Sequence, residues 1–166
     1  PNQPGELSID VARSPLMWFT GYLGKEPVDA NGYYRTGDNV ELEPDGSVSF
    51  IGRADDVITS SGYRIGPFDV ESALIEHPAV LEAAVIGVPD PERTEIVKAF
   101  ITLKPGFPPT DALREELQQH VRARLSSHAY PRAIDFVDEL PKTPSGKLQR
   151  FLLRRAEAAR QEQSAR

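Results

Sequence analysis

Four groups of side chains in this 166-residue chain have the types and spacing to do chemistry. Tyr34-Arg35-Thr36-Gly37-Asp38 places a carboxylate after a glycine turn, where two oxygens could accept hydrogen bonds from vicinal ribose hydroxyls; an Asx turn would use the same residues. Arg53 and Arg64 each carry a guanidinium, a planar fork of donors that stays charged and suits polyanions, although ordinary surface ion pairs use arginine equally well. Ser60-Ser61-Gly62-Tyr63 is small enough either for backbone amides to face a ligand or for a plain turn. Lys147, in Thr143-Pro144-Ser145-Gly146-Lys147, reads as a point charge on a mobile loop, suited to meet charge developing on a phosphate or carboxylate. Standing alone it would read as a solvated lysine. P-loop spacing is absent, and His77, His120 and His128 show neither metal-ligand spacing nor a Ser-His-Asp arrangement.

Composition bounds what surrounds these groups. Hydrophobic residues make up 39% and charged residues 27%, ordinary for a water-soluble domain, and the length suits one domain or one domain plus a fragment. No apolar run approaches the roughly 18 residues of a membrane span, and no signal-peptide pattern is present. A net charge of −6 argues against general nucleic-acid binding, and the absence of cysteine excludes disulfides and fits a cytoplasmic protein. From Lys142 to Arg166, seven Lys/Arg against two Glu give 7 − 2 = +5. That excess reads either as a solvated helical tail or as a local site for an anion. The chain opens on Pro1 without an initiator Met, which reads as a piece of something longer.

The positioning elements follow from pattern. Alternation over Gly5 to Val11, and over Asn39 to Glu43 and Ser47 to Ile51 around Pro44-Asp45-Gly46, predicts strands, with loop over 12–32. These first residues hold too little apolar material for a core of their own. Residues 52–66, with Arg53, Asp55, Asp56 and three glycines, read as a junction or binding loop. Beyond it the pattern predicts a helix over 67–77, strands over 80–88 and 95–103, a helix capped by Thr110 with the stripe Leu113, Leu117, Val121, Leu125, a short strand over 134–137, a polar loop and a last helix from Arg150. Roughly 110 residues of this kind make a small α+β domain.

Taken in order, Tyr-Arg-Thr-Gly-Asp, Gly-Arg-Ala-Asp-Asp-Val-Ile-x-x-Ser-Gly-Tyr-Arg-Ile and Pro-Lys-Thr-Pro-Ser-Gly-Lys resemble the C-terminal motifs of adenylate-forming enzymes: acyl-CoA synthetases, luciferase and nonribosomal peptide synthetase adenylation domains. Ser60 to Leu74 and Pro89 to Phe100 look closest to the medium-chain acyl-CoA synthetase and benzoate-CoA ligase branch. The resemblance implies an α+β fold, a mobile C-terminal lid with an antiparallel or mixed sheet and flanking helices over 55–166. The β end of a large N-terminal domain would occupy 1–54, with the hinge at Asp55. It implies an ATP- and Mg2+-dependent ligase of fatty acid metabolism type that makes an acyl-adenylate, then passes the acyl group to CoA while the lid alternates between two poses. The phosphate loop and acyl pocket of such enzymes lie upstream, so these residues alone are expected to be inactive.

Carried over by position, Asp38 would bind ribose, Arg53 the nucleotide, Arg64 a phosphate, and Lys147 the adenylation transition state. Lys147 would also be a target for a lysine acetyltransferase. Ser61, Gly62 and Tyr63 would line the pantetheine tunnel, and Arg93, Arg122, Tyr130, Pro131 and Arg132 would contact CoA. Partners would be a carboxylic acid, ATP, CoA and the upstream domain, with no nucleic acid and no protein-held metal. Two other readings stand beside it: a domain that loads a carrier protein, and a non-catalytic module that docks a partner.

Overall fold

The computed structural model describes residues 4–15 and 19–164. They divide into two compact units, Pro1–Asp55 and Asp56–Arg166.

The first unit is a three-stranded antiparallel sheet in the order β1 (Pro4–Asp10), β2 (Tyr33–Leu42), β3 (Val48–Arg53). The β2–β3 turn is closed by the Glu43 amide on the Ser47 carbonyl (2.9 Å) and the Gly46 amide on the Glu43 carbonyl (3.0 Å). Pro44 sits at the second turn position and Gly46 takes φ +86°, the left-handed region glycine enters at little cost. β2 begins well before Asn39, so the Tyr34–Asp38 motif lies within a strand rather than after a free glycine turn. The pattern concealed this because pairing is broken there: Glu6 faces Asn39 and Ser8 faces Arg35, which leaves Thr36, Gly37 and Asp38 opposite Leu7 alone. This is a bulge, and bulges re-aim side chains. Leu42, Val48 and Phe50 are exposed, and among the described residues both hydrophobic clusters belong to the second unit.

The second unit is built on β6 (Val80–Asp90) and β7 (Thr94–Leu103), antiparallel along their whole length. The other edge of β7 pairs first with β4 (Ile58–Ser60) at Thr94 and then, in parallel, with β8 (Ala133–Phe136) at Lys98–Ile101. β5 (Tyr63–Ile65) pairs with β4 and completes a mixed five-stranded sheet. About half of the stretch 52–66 is therefore strand, and the boundary between the two units falls within it, after Asp55. Ser61 and Gly62 join β4 to β5 with φ +50° and +83°, and two consecutive positive φ values make the primed turn that matches strand twist.

Both faces of the β6–β7 pair are covered, which is why these strands read as apolar runs without alternation. Ala83, Val85, Val97, Ala99 and Ile101 face α1 (Pro67–Ile75) and α2 (Asp111–Arg124) through Val70, Leu74, Leu113, Leu117 and Val121. Ala84, Ile86, Val88 and Phe100 face Leu140 and Leu153, the latter on α3 (Arg150–Ser164). The Thr110 hydroxyl accepts the Leu113 amide at 3.2 Å, capping α2 as its sequence predicts. Leu125 is the exception to the stripe: it caps the helix C-terminus and is 41% exposed. No described helix is long and apolar enough to cross a membrane.

Leu117 has no exposed surface. Leu117→Ala should therefore cost about 2–5 kcal/mol in denaturant unfolding, whereas Thr110→Ala should cost about 1 kcal/mol. Equal losses would show that the stripe is not the core of this unit.

Candidate functional site

In the first unit, the bulge at Thr36–Asp38 meets the end of β3. Arg53 donates from Nη1 to the Thr36 carbonyl (2.9 Å) and to Asp38 Oδ1 (3.1 Å), and from Nε to Asp55 Oδ1 (3.1 Å). Burial works against the Arg53 charge, and the hydrogen bonds and charges of Asp38 and Asp55 more than offset it, raising its pKa. Gly37 is required twice over. Its φ is +76°, and a Cβ there would come within 2.6 Å of Arg53 Nη2. The sequence-predicted ribose and nucleotide residues thus sit together, bridged by one guanidinium.

In the second unit the candidates form two groups. Around the β4–β5 turn, the Ser61 amide donates to the Arg93 carbonyl (2.9 Å) and Arg93 Nη1 donates to Ser61 Oγ (3.0 Å). Tyr63 stacks on His128, ring centroids 3.8 Å apart at 15°, beside a cavity of about 250 Å³ that Arg64 also lines. Arg122 and Arg132 lie against the ring of Tyr130 at 5.8 and 5.0 Å. Pro131 is the exception. Its side chain is fully buried and packs inside the domain. His128 had no distinguishing neighbour in the sequence; only the fold brings its ring onto Tyr63.

Lys147 belongs to neither the turn nor the cavity. Lys142 and Leu148 form a bridge, and the Lys142 ammonium is paired with Glu82, which lies opposite Thr102 near the end of β7. The Ser61–Arg93 contact lies at the start of β7, beside Thr94. Between the two groups runs strand on the order of 25 Å long, at about 3.3 Å per residue. The loop expected to be mobile is a closed turn: the Thr143 amide donates to the Lys147 carbonyl (2.8 Å), Gly146 to the Thr143 carbonyl (2.8 Å), and Lys147 to Thr143 Oγ1 (3.0 Å). Glu43-Pro44-Asp45-Gly46-Ser47 makes the same backbone pattern, so the Pro-x-Gly spacing was the signal that could have revealed it. The Lys147 side chain is exposed and its ammonium meets no carboxylate among the described residues.

Its basic neighbours differ. Arg150 donates to Glu71 from Nε (3.0 Å) and Nη2 (2.6 Å) and to Asp56 from Nη1 (3.1 Å), and Arg154 donates to Asp56 (2.7 Å). Burial opposes the Arg150 charge, and Glu71 and Asp56 outweigh that, so its pKa is raised. Glu157 and Asp135 pair with the buried Lys98, and Arg160 with Asp135. On α3, Arg150, Arg154 and Arg160 are therefore held in ion pairs that dock the helix, while Arg155 is exposed. Arg166 lies outside the described residues.

A mixed sheet covered by α1 and α2 on one face and α3 on the other, with charged groups at opposite ends of its central strand, makes the second unit a small α+β domain. Residues 69–147 match the family described as the AMP-binding enzyme C-terminal domain. The chain is 48% identical over 160 residues to 4-hydroxybutyrate–CoA ligase 1 of Metallosphaera sedula, covering 95% of this chain and 28% of that protein. It is 54% identical over 158 residues to acetyl-coenzyme A synthetase of Bacillus subtilis, covering 93% and 27%. The crystal structure of Brucella canis acyl-CoA synthetase matches with 73% identity and a TM-score of 0.66, over 97% of this chain and 30% of that one. The chain thus spans less than a third of the length of these relatives.

Gly146 has φ +84° with open space where a Cβ would lie, so Gly146→Ala strains only the backbone, by about 1–2 kcal/mol. The amides of residue 146 and Lys147 should then exchange with solvent roughly tenfold faster. Unchanged exchange would mean that the turn does not depend on the left-handed residue.

Proposed function

We propose that these residues are the C-terminal part of an AMP-forming acid–CoA ligase, in which the second unit presents its two ends to the reaction in turn. One observation carries the reading: Lys147 and the Ser61–Arg93 group lie at opposite ends of β7. One small active site cannot use both ends at once. A unit that turns between two steps can.

In the first step a carboxylate oxygen attacks the α-phosphorus of ATP, the bond to the β-phosphate oxygen breaks, and pyrophosphate leaves with its Mg2+. Negative charge builds on the phosphate oxygens, and Lys147, held on a closed turn with no carboxylate partner among the described residues, supplies a point charge there. Asp38 takes the ribose hydroxyls and Arg53 the nucleotide, and both already share one hydrogen-bonded cluster. In the second step the CoA thiolate attacks the acyl carbon and AMP departs. Ser61, Gly62 and Tyr63 flank the pantetheine arm, Arg64 meets a phosphate of the nucleotide, Arg93 approaches a phosphate of CoA, and Arg122, Tyr130 and Arg132 hold the distal end of CoA. Asp55 is the pivot. The relatives' CoA-ligase names support CoA over a carrier protein as the acceptor. The reading requires a compartment that supplies ATP and CoA, which we take to be the cytoplasm. Acetylation of exposed Lys147 would switch off the first step by removing its charge.

The test is made in the full-length protein. Lys147→Ala should abolish acyl-adenylate formation by a factor of 100 or more, about 3 kcal/mol or above, while thioester formation from supplied acyl-AMP stays within a few-fold. Equal loss of both half-reactions would remove Lys147 from this role. Arg93→Ala should instead raise the KM for CoA by about tenfold and leave that for ATP unchanged. A raised KM for ATP would reverse the assignment of the two ends.

A further inference from the structure

The adjacent carboxylates Asp55 and Asp56 are held in opposite ways. Asp55 is 65% exposed and its side chain meets Arg53, two residues back and within the first unit. Asp56 is 10% exposed and is gripped by Arg150 Nη1 (3.1 Å) and Arg154 Nη1 (2.7 Å), four residues apart on α3. Arg150 also binds Glu71 of α1, and Glu71 Oε1 accepts the Val85 amide of β6 at 2.8 Å. Two guanidinium and two carboxylate groups therefore balance, and they tie Asp56 to three elements around the core. Ile58, two residues on, is 1% exposed in that core.

We propose that Asp56 is a positioning residue: locked by Arg150 and Arg154 onto the last helix, it makes the second unit rigid up to its first residue and confines rotation to the backbone of Asp55. The inference rests on the reading above, that this unit turns between two half-reactions. Each residue has two soft dihedrals, so a pivot confined to Asp55 has two, whereas releasing Asp56 and Val57 would give six. Freeing a residue spreads the unit over roughly ten times as many orientations, and each productive pose becomes correspondingly rarer. No ligand needs to touch Asp56 for this to act.

The experiment compares Asp56→Asn with wild type in the full-length protein, reading both half-reactions and amide exchange at Val57 and Ile58. Asp56→Asn should lower kcat of both half-reactions by about tenfold, with the KM for ATP and for the carboxylic acid within twofold. Exchange at Val57 and Ile58 should rise about tenfold while Val97 and Ile101 stay protected. Arg154→Lys, which keeps the charge, should recover most of the rate. If Asp56→Asn does not fold, Arg154→Gln, which removes one of the two holds on Asp56, should lower both rates and raise exchange at Val57 and Ile58 in the same direction by a smaller factor; no change in either overturns the proposal. Unchanged kcat in a folded variant overturns the proposal, as does loss of adenylation alone, which would mark Asp56 as part of one active site. Absence of acyl-adenylate formation in wild type would instead fail the functional reading; exchange at Val57 and Ile58, which needs no substrate, would still decide whether Asp56 pins the start of the unit.

Discussion

The second unit depends on one charged network: Asp56 and Glu71 against Arg150 and Arg154. Helix α3 offers little apolar surface. Leu153 packs into the core, but Phe151 and Leu152 are exposed, and the face toward the sheet is otherwise Arg150, Arg154 and Glu157. Its docking is therefore decided by ion pairs. Partly buried charges cost desolvation energy, and such a network holds only where every member is satisfied. Here Glu71 takes Arg150 and the Val85 amide, Asp56 takes two arginines, and Lys98 takes Glu157 and Asp135. Removing one partner strands another charge in a poorly hydrated place.

That docking has a consequence for the sheet. With α3 on one face and α1 and α2 on the other, β6 and β7 are enclosed on both faces; β6 pairs along its length with β7, the other edge of β7 pairs with β4 and β8, and the Val85 amide of β6 goes to Glu71. Chemistry is left to the strand ends. The primed turn at Ser61-Gly62 projects from one end, and the lysine turn, tied to Glu82 by Lys142, lies near the other. A rigid core with polar turns at both ends suits the proposed turning between two half-reactions.

Much of this was legible in the chain. The 3.6-residue stripe of α2, its Thr110 cap, Pro67 at the start of α1 and the apolar runs of β6 and β7 each point to one local structure, because local sterics and periodicity leave few alternatives. The misreadings share a cause. The pattern at Tyr34–Asp38 reads as a turn because the bulge opposite Leu7 interrupts alternation, and 58–65 reads as a loop because each strand of that hairpin has three residues, too short to show a period. The lysine segment looked mobile from its Gly, Ser and Pro content, yet those residues close a hydrogen-bonded turn.

By itself, then, the sequence determined the elements, the family of motifs and the residue types that can meet a nucleotide: Asp38, Arg53, Arg64 and Lys147 carry their chemistry wherever they sit. Only the tertiary structure decided which of them stand together. Arg53 bridges Asp38 and Asp55, Ser61 joins Arg93, His128 stacks on Tyr63, and Pro131 withdraws into the interior. Above all it separated Asp55 from Asp56, two identical carboxylates that no local pattern distinguishes. The partners of Asp56 lie 94 and 98 residues away, and a contact at that distance in sequence exists only after the sheet and its helices have packed.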